Sequence, residues 1–513
     1  MPAPPVPSRN RPTRSGGPFW RGCVALLLGL GSPACDGADG GADRPLEMVI
    51  PNDITSADPR FTIRGYDVKL SRLVHAGLVG LHPSTLEPVP LVAKSWQAPD
   101  ERTLVMQLRP GLRFHSGAKL EPEDVCATIR ALQEPSLGSP HRAVVRSIGS
   151  CQPEPPLGLR IVLMEARATL LTDLEVPILR RDQAAILPER LSAPLDGLGP
   201  YRIGKMSPGE VQLEPSGNGP LPKPARRLVV RTVHDANARA LRLLVGKSDI
   251  APNAISPVLL PSLVGRDGLE VTSRPGANVS YLLLQNERPP LDRLEVRRAL
   301  SAAIDRRSIT RYLFADMAQP AAGIFPAEHW AAPDSLVVPQ FSPDQARSVL
   351  SGLPELTLYT STDRARVTVA RAMAQMLEDA GATVRVVPLD LGVLLHRVDT
   401  GEYELASLQF PELTEPNILK WFFHPSGVPG EGGEGKNRAR YRSTVVGRLL
   451  DQASEVSDRR QRQQAYFQVA QEMAQDLPVI PLWHEDQVAV VSKRAKGFRL
   501  SAEGRWLAVA ALP

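Results

Sequence analysis

Apolar and polar side chains alternate from Thr103 to Arg109, with Leu104, Met106 and Leu108 on one side, and this predicts a strand with a single buried face. Pro110-Gly111 ends it, 112–115 reads as a second short strand, and Ser116-Gly117 supplies a turn. Pro122, flanked by Glu121, Glu123 and Asp124, marks the first turn of a helix. Strands are predicted over 158–164, 228–233 and 281–286, and helices over 170–179 and 235–244. Along 294–306, Val296, Leu300, Ala303 and Ile304 recur at helical spacing and predict one amphipathic helix facing a core. A strand at 356–359, a helix over 367–380 closed by Gly381 and a strand at 384–387 make a β-α-β unit. That order predicts an α/β lobe in which ligands approach the strand ends.

With 513 residues and 42% hydrophobic content the chain can bury large cores, and its length corresponds to roughly two to four domains. Its net charge of +5 does not imply a nucleic-acid partner, because Arg9, Arg11, Arg14 and Arg21 all precede Cys35 and no acid does. Without residues 1–34 the net charge is +1.

The arginine-rich lead runs into the short apolar segment 24–30 and then Gly31, Ser32 and Ala34 before Cys35. Residues 1–34 are expected to be a signal peptide, and 35–45 a Gly-rich tether. Cys35 resembles a bacterial lipoprotein acylation site, although Ser32 stands where Leu is usual; a plain secretory peptide cut nearby is the alternative. Export leaves Cys126 and Cys151 as an even pair in an oxidising compartment, so a disulfide between them is expected, with two buried thiols as the other reading.

From Ser95 onward, Trp96, Asp100, Leu108, Arg109, Gly111, Phe114, His115, Gly117, Asp124 and Val125 form a recurrent phrase, and 196–203, 246–250, 294–306, 342–347 and 401–406 add others. Together they resemble the family 5 extracellular solute-binding proteins, receptors of ABC importers for peptides, nickel and related solutes. The resemblance implies a two-lobed α/β periplasmic-binding-protein fold of type II, with an extra subdomain in the first lobe. Lobe I would span 46–280 with the insertion at about 71–190, lobe II 281–485, and 486–513 would return to lobe I. It implies capture of a solute, in first place a peptide, in an interlobe cleft and delivery to a membrane permease and its ATPase. The receptor would be a monomer in the periplasm, tethered through the Cys35 lipid, with no cofactor and no catalysis.

In peptide receptors of this family an acid following a Trp meets the ligand's amino terminus; Glu412 stands there, with Phe410 or Gln409 for the Trp. A surface acid is the alternative for Glu412. Arg364 or Arg366 lies where some dipeptide receptors hold the ligand carboxylate, a task suited to the planar guanidinium fork, or else is an exposed helix-start arginine. Trp421 and Trp483 are candidate pocket walls or core residues, and His75 is read as a packed helix-end residue. The segment 430–437 (GEGGEGKN) misses a phosphate-binding loop because Asn437 replaces its Ser/Thr, and reads as a loop. G-x-S-x-G, H-E-x-x-H and C-x-x-C are absent, and the nine histidines are scattered, so no metal site is expected. Two other functions stay open: a receptor-like lipoprotein without transport, acting as sensor or chaperone, and a secreted peptide hydrolase.

Overall fold

A computed structural model describes residues 44–63, 65–430, 436–456 and 458–513. The expected signal segment, Cys35 and most of the 430–437 loop lie outside the described residues.

Two large sheets organise the chain. The first has seven strands in the order Leu269–Arg274, Gln487–Ser492, Ile250–Pro252, Leu46–Ile50, Leu228–Thr232, Glu210–Pro215, Tyr201–Ser207. The second has six, in the order Ala318–Pro320, Val479–Glu485, Val279–Leu284, Leu405–Phe410, Leu356–Ser361, Val384–Leu389. Val279–Leu284 is buried at every position, as a central strand covered on both faces must be. The β-α-β unit closes as expected: Leu356–Ser361 pairs parallel with Val384–Leu389, and the connecting helix Arg364–Asp379 starts three residues before the expected position because the Asp363 side chain caps it by accepting from Arg366 N–H.

A four-stranded sheet, Ala93–Asp100, Thr103–Leu108, Gly158–Leu163, Ile148–Glu154, carries the periodic segment and packs on helix Pro122–Gln133. That helix opens with a capping box between Glu121 and Asp124. Cys126 on the helix is disulfide-bonded to Cys151 on the sheet, Cα–Cα 5.3 Å.

Three expectations are corrected. The segment 112–115 is not a strand: Arg113 makes one isolated bridge to Lys119, and its N–H and that of His115 donate instead to the carbonyls of Asn218 and Gly197. The helix expected over 170–179 stops after Leu170–Asp173, because the Leu174 carbonyl accepts from Leu78 N–H and Pro177 disfavours helix at Val176. The helix expected over 294–306 is two, Leu294–Ala302 and Arg306–Leu313, since the Asp305 side chain caps a new start by accepting from Ser308 N–H. Gly197 and Gly199 are needed for space rather than for unusual dihedrals: a Cβ would lie 2.0 Å from the Val74 carbonyl oxygen and 2.3 Å from that of Leu73.

Candidate functional site

The chain crosses between the two large sheets twice. Residues 275–278 join Leu269–Arg274 to Val279–Leu284, and Asp486 alone joins Val479–Glu485 to Gln487–Ser492. Asn278 fastens the crossings together: its Nδ2 donates to the Glu485 carbonyl at 2.7 Å and its Oδ1 accepts from Glu485 N–H at 2.8 Å. His484 Nδ1–H donates to the Asn278 carbonyl from the same strand. Burial holds the His484 imidazole at about 4, so it is neutral.

Beside these crossings lies a cavity of about 370 Å³, and next to it a second of about 960 Å³ bounded by Arg72, 141–176 and 412–427, both within the range of small-ligand sites. Glu412 lines both. Its position follows from register: Phe410 ends the strand opposite Val279, and Leu413 N–H donates to the Ala277 carbonyl at 2.7 Å, pinning the loop between them at the crossing. Glu412 is exposed and makes no hydrogen bond or ion pair among the described residues.

The opposite wall comes from helix Gly65–Val74 and the C-terminal segment. Lys69 and Arg72, three residues apart, share one helix face toward the cleft. Lys69 lies 5.6 Å from the Tyr66 ring centroid and has no hydrogen bond or ion pair among the described residues. Burial draws the Lys69 ammonium below its usual value, while Glu412 and Glu503 act in the opposite sense. Arg72 and Arg505 both hold Glu175, Arg505 with a two-bond fork. Burial pushes the Glu175 carboxyl up, but Arg505 and Arg72 outweigh it and keep it below the usual carboxylate value. Glu503 Oε1 meets Arg505 Nε at 2.8 Å, and burial raises the Glu503 carboxyl. Ala502 delivers Glu503 to the cleft by accepting from Ala277 N–H and donating to the Pro83 carbonyl, each at 2.7 Å.

The expected site residues separate into groups. Glu412 and Trp421 line the larger cavity together, Trp421 being 55% exposed. Phe410 lies behind them in the core, stacked on Tyr281 at 4.4 Å between centroids. Trp483 is 1% exposed, packed against Phe314 at 5.3 Å, and lines neither cavity, so its side chain belongs to the core. Arg364 is exposed on the helix and lines neither cavity. Arg366 turns inward: it donates to Glu485 Oε1 at 2.8 Å, Ser280 Oγ at 3.1 Å and Gln409 Oε1 at 2.9 Å. Its fork is therefore already taken by protein groups. Lys69, Arg72, Glu485, Glu503 and Arg505 were not expected, and no motif or periodicity in the sequence points to them.

Two lobes joined at a double crossing, with a charged cleft between them, define the class of two-lobed extracellular solute-binding proteins. The chain belongs to the family described as "Bacterial extracellular solute-binding proteins, family 5 Middle", whose model matches residues 87–429. It is 24% identical over 460 residues to the Dipeptide-binding protein of Pseudomonas aeruginosa, covering 81% of this chain and 85% of that one. In structure it is similar to NikZ from Campylobacter jejuni in complex with Ni(L-His), with TM-score 0.75, 22% identity and coverage of 90% and 97%. It is also similar to the ABC transporter substrate-binding protein CtaP of Listeria monocytogenes, with TM-score 0.82, 19% identity and coverage of 91% and 99%. Among the described residues no helix is long and apolar enough to cross a membrane, and no cluster of His, Cys, Asp or Glu could hold a metal ion.

Proposed function

We propose that this protein is the receptor of an ABC importer, capturing a peptide in the cleft between its lobes and handing it to a membrane permease powered by an ATPase. Lobe I is 46–280 with an inserted subdomain at about 71–190, lobe II is 281–485, and 486–513 returns to lobe I. The receptor is a periplasmic monomer tethered through lipid on Cys35. The observation that carries the reading is the pair of opposite charges facing the cleft that make no hydrogen bond or ion pair among the described residues, Glu412 from one lobe and Lys69 from the other. A zwitterionic peptide supplies the complement of both: its ammonium meets Glu412, and its carboxylate meets Lys69. The similarity to a dipeptide-binding protein points to the same ligand class.

The test is a thermal-shift screen of the protein, unfolded and refolded to strip bound solute, against dipeptides, longer peptides, nickel chelates and sugars. A ligand at a hundred times its dissociation constant adds about 2.7 kcal/mol. A rise confined to peptides is expected; a rise only with a chelate or sugar overturns the peptide assignment, and a flat screen overturns the receptor reading.

A further inference from the structure

We infer that Glu503, on the C-terminal segment, forms with Glu412 a two-sided cation clamp that grips a primary ammonium of the ligand from both lobes. The inference rests on the receptor reading above and names a binding residue that neither the family phrases nor the helix and strand periodicities point to.

The smaller cavity is lined by four carboxylates, Glu412, Glu485, Asp486 and Glu503, and by one ammonium, that of Lys69. Three of the acids are engaged: Glu485 by Arg366, Glu503 through Oε1 by Arg505, which Glu503 shares with Glu175, and Asp486 through Oδ2 by the Ser273 hydroxyl. Glu412 alone of the four has no hydrogen bond or ion pair among the described residues, and it feels Lys69, Arg72 and Arg505 only through their charges.

Glu503 is 2% exposed, yet its Oε2 has no hydrogen-bond partner among the described residues, and Asp486 Oδ1 is in the same condition. A buried carboxylate oxygen accepts hydrogen bonds and cannot donate while ionised, so only a donor completes it. The protein's own ammonium does not: Lys69 feels the charges of Glu412 and Glu503 but bonds to neither. An ammonium has three N–H donors, enough for Glu412 and Glu503 Oε2 together. Because Glu412 and Glu503 come from opposite lobes, the ligand's cation would join them, while Lys69 stays available for an anionic group on the same ligand.

The experiment is a thermal-shift titration of the full chain with a peptic casein digest and with the same digest after its amines are acetylated. The proposal expects the native digest to raise the melting temperature and the acetylated digest to have no effect. In Glu503→Gln and in Glu412→Gln the midpoint of the native-digest titration should rise by about tenfold or more, the loss of a charge-assisted hydrogen bond. If Glu503→Gln does not fold, Glu503→Asp, which keeps the charge but draws it back from the cavity, decides the matter by the same tenfold criterion. Equal shifts with acetylated and native digests, or an unchanged titration in a folded Glu503→Gln protein, overturn the clamp and leave the receptor reading standing. A wild-type protein unmoved by the digest, nickel–histidine and sugars alike overturns both.

Discussion

Asn278 holds Glu485 by both of its main-chain polar groups, donating to the carbonyl and accepting from the N–H, so the two chain crossings are bound by a side chain acting as a backbone pair. Asn278 is 4% exposed, and its removal strands polar groups away from water. Asn278→Ala is expected to destabilise the protein by about 2–4 kcal/mol, measured by urea denaturation. Asn278→Asp keeps only the acceptor and should fall between the two. A loss below about 0.5 kcal/mol in the Ala variant would show that the crossings do not depend on this side chain.

The Cys126–Cys151 bond closes a stretch 25 residues apart in sequence. Restricting the unfolded chain over a loop of that size is worth about 3 kcal/mol. The double Cys→Ser variant should lose about that amount in guanidinium denaturation, and an intact mass two hydrogens below the reduced form checks that the bond is present in the starting protein.

Arg364 and Arg366 should behave differently although they are two residues apart. Arg366→Gln breaks a half-buried link to Glu485 and Ser280 next to the crossings, and a loss of about 1–2 kcal/mol is expected. Arg364→Gln, on the exposed side of the helix, should stay within about 0.5 kcal/mol of wild type. Differential scanning calorimetry of the two variants measures this; equal effects would contradict the contacts.

Burial holds His75 and His329 at about 3 and His484 at about 4, all below the ordinary value of 6.5. The unfolded chain therefore takes up protons below 6.5 that the folded chain refuses. The stability these groups contribute is present above 6.5 and is lost as the pH falls toward 3 to 4, by about 1.4 kcal/mol per pH unit for each histidine. Burial raises the Glu415, Glu503 and Asp486 carboxyls, which act in the opposite sense at the acid end. His484→Gln should thus flatten the loss between pH 6.5 and 4.5 by about one histidine's share, read from urea midpoints at several pH values. An unaltered slope would show that His484 titrates normally.

Much of the scaffold was legible. The alternation at Leu104, Met106 and Leu108 became a strand, the acids around Pro122 became a capping box, and two cysteines in an exported chain became a bond between helix and sheet. Periodicity failed where a few polar contacts decided the path: Asp305 split one expected helix, and the demand of Leu78 on the Leu174 carbonyl cut another short. The site was harder. Glu412, singled out by its motif, does line both cavities, but Lys69, Glu485 and Glu503 are brought together by sheet crossings that no local pattern encodes. Phe410 and Trp483 show the converse limit, since a large aromatic satisfies a cavity wall and a core equally well, and only the register of the strands placed both inside.

Two adjacent covalent passages, one of them a single residue, act as a pair of pins on one line. Paired pins forbid sliding and leave the lobes one free coordinate, a swing about the line through them, in which each atom's travel grows with its distance from that axis. Glu412 and Glu503 each adjoin a residue bonded to Ala277, so both sit close to the axis. Their separation would therefore change little over such a swing, and under the clamp inferred above a cation would dock between them while the lobes still gape.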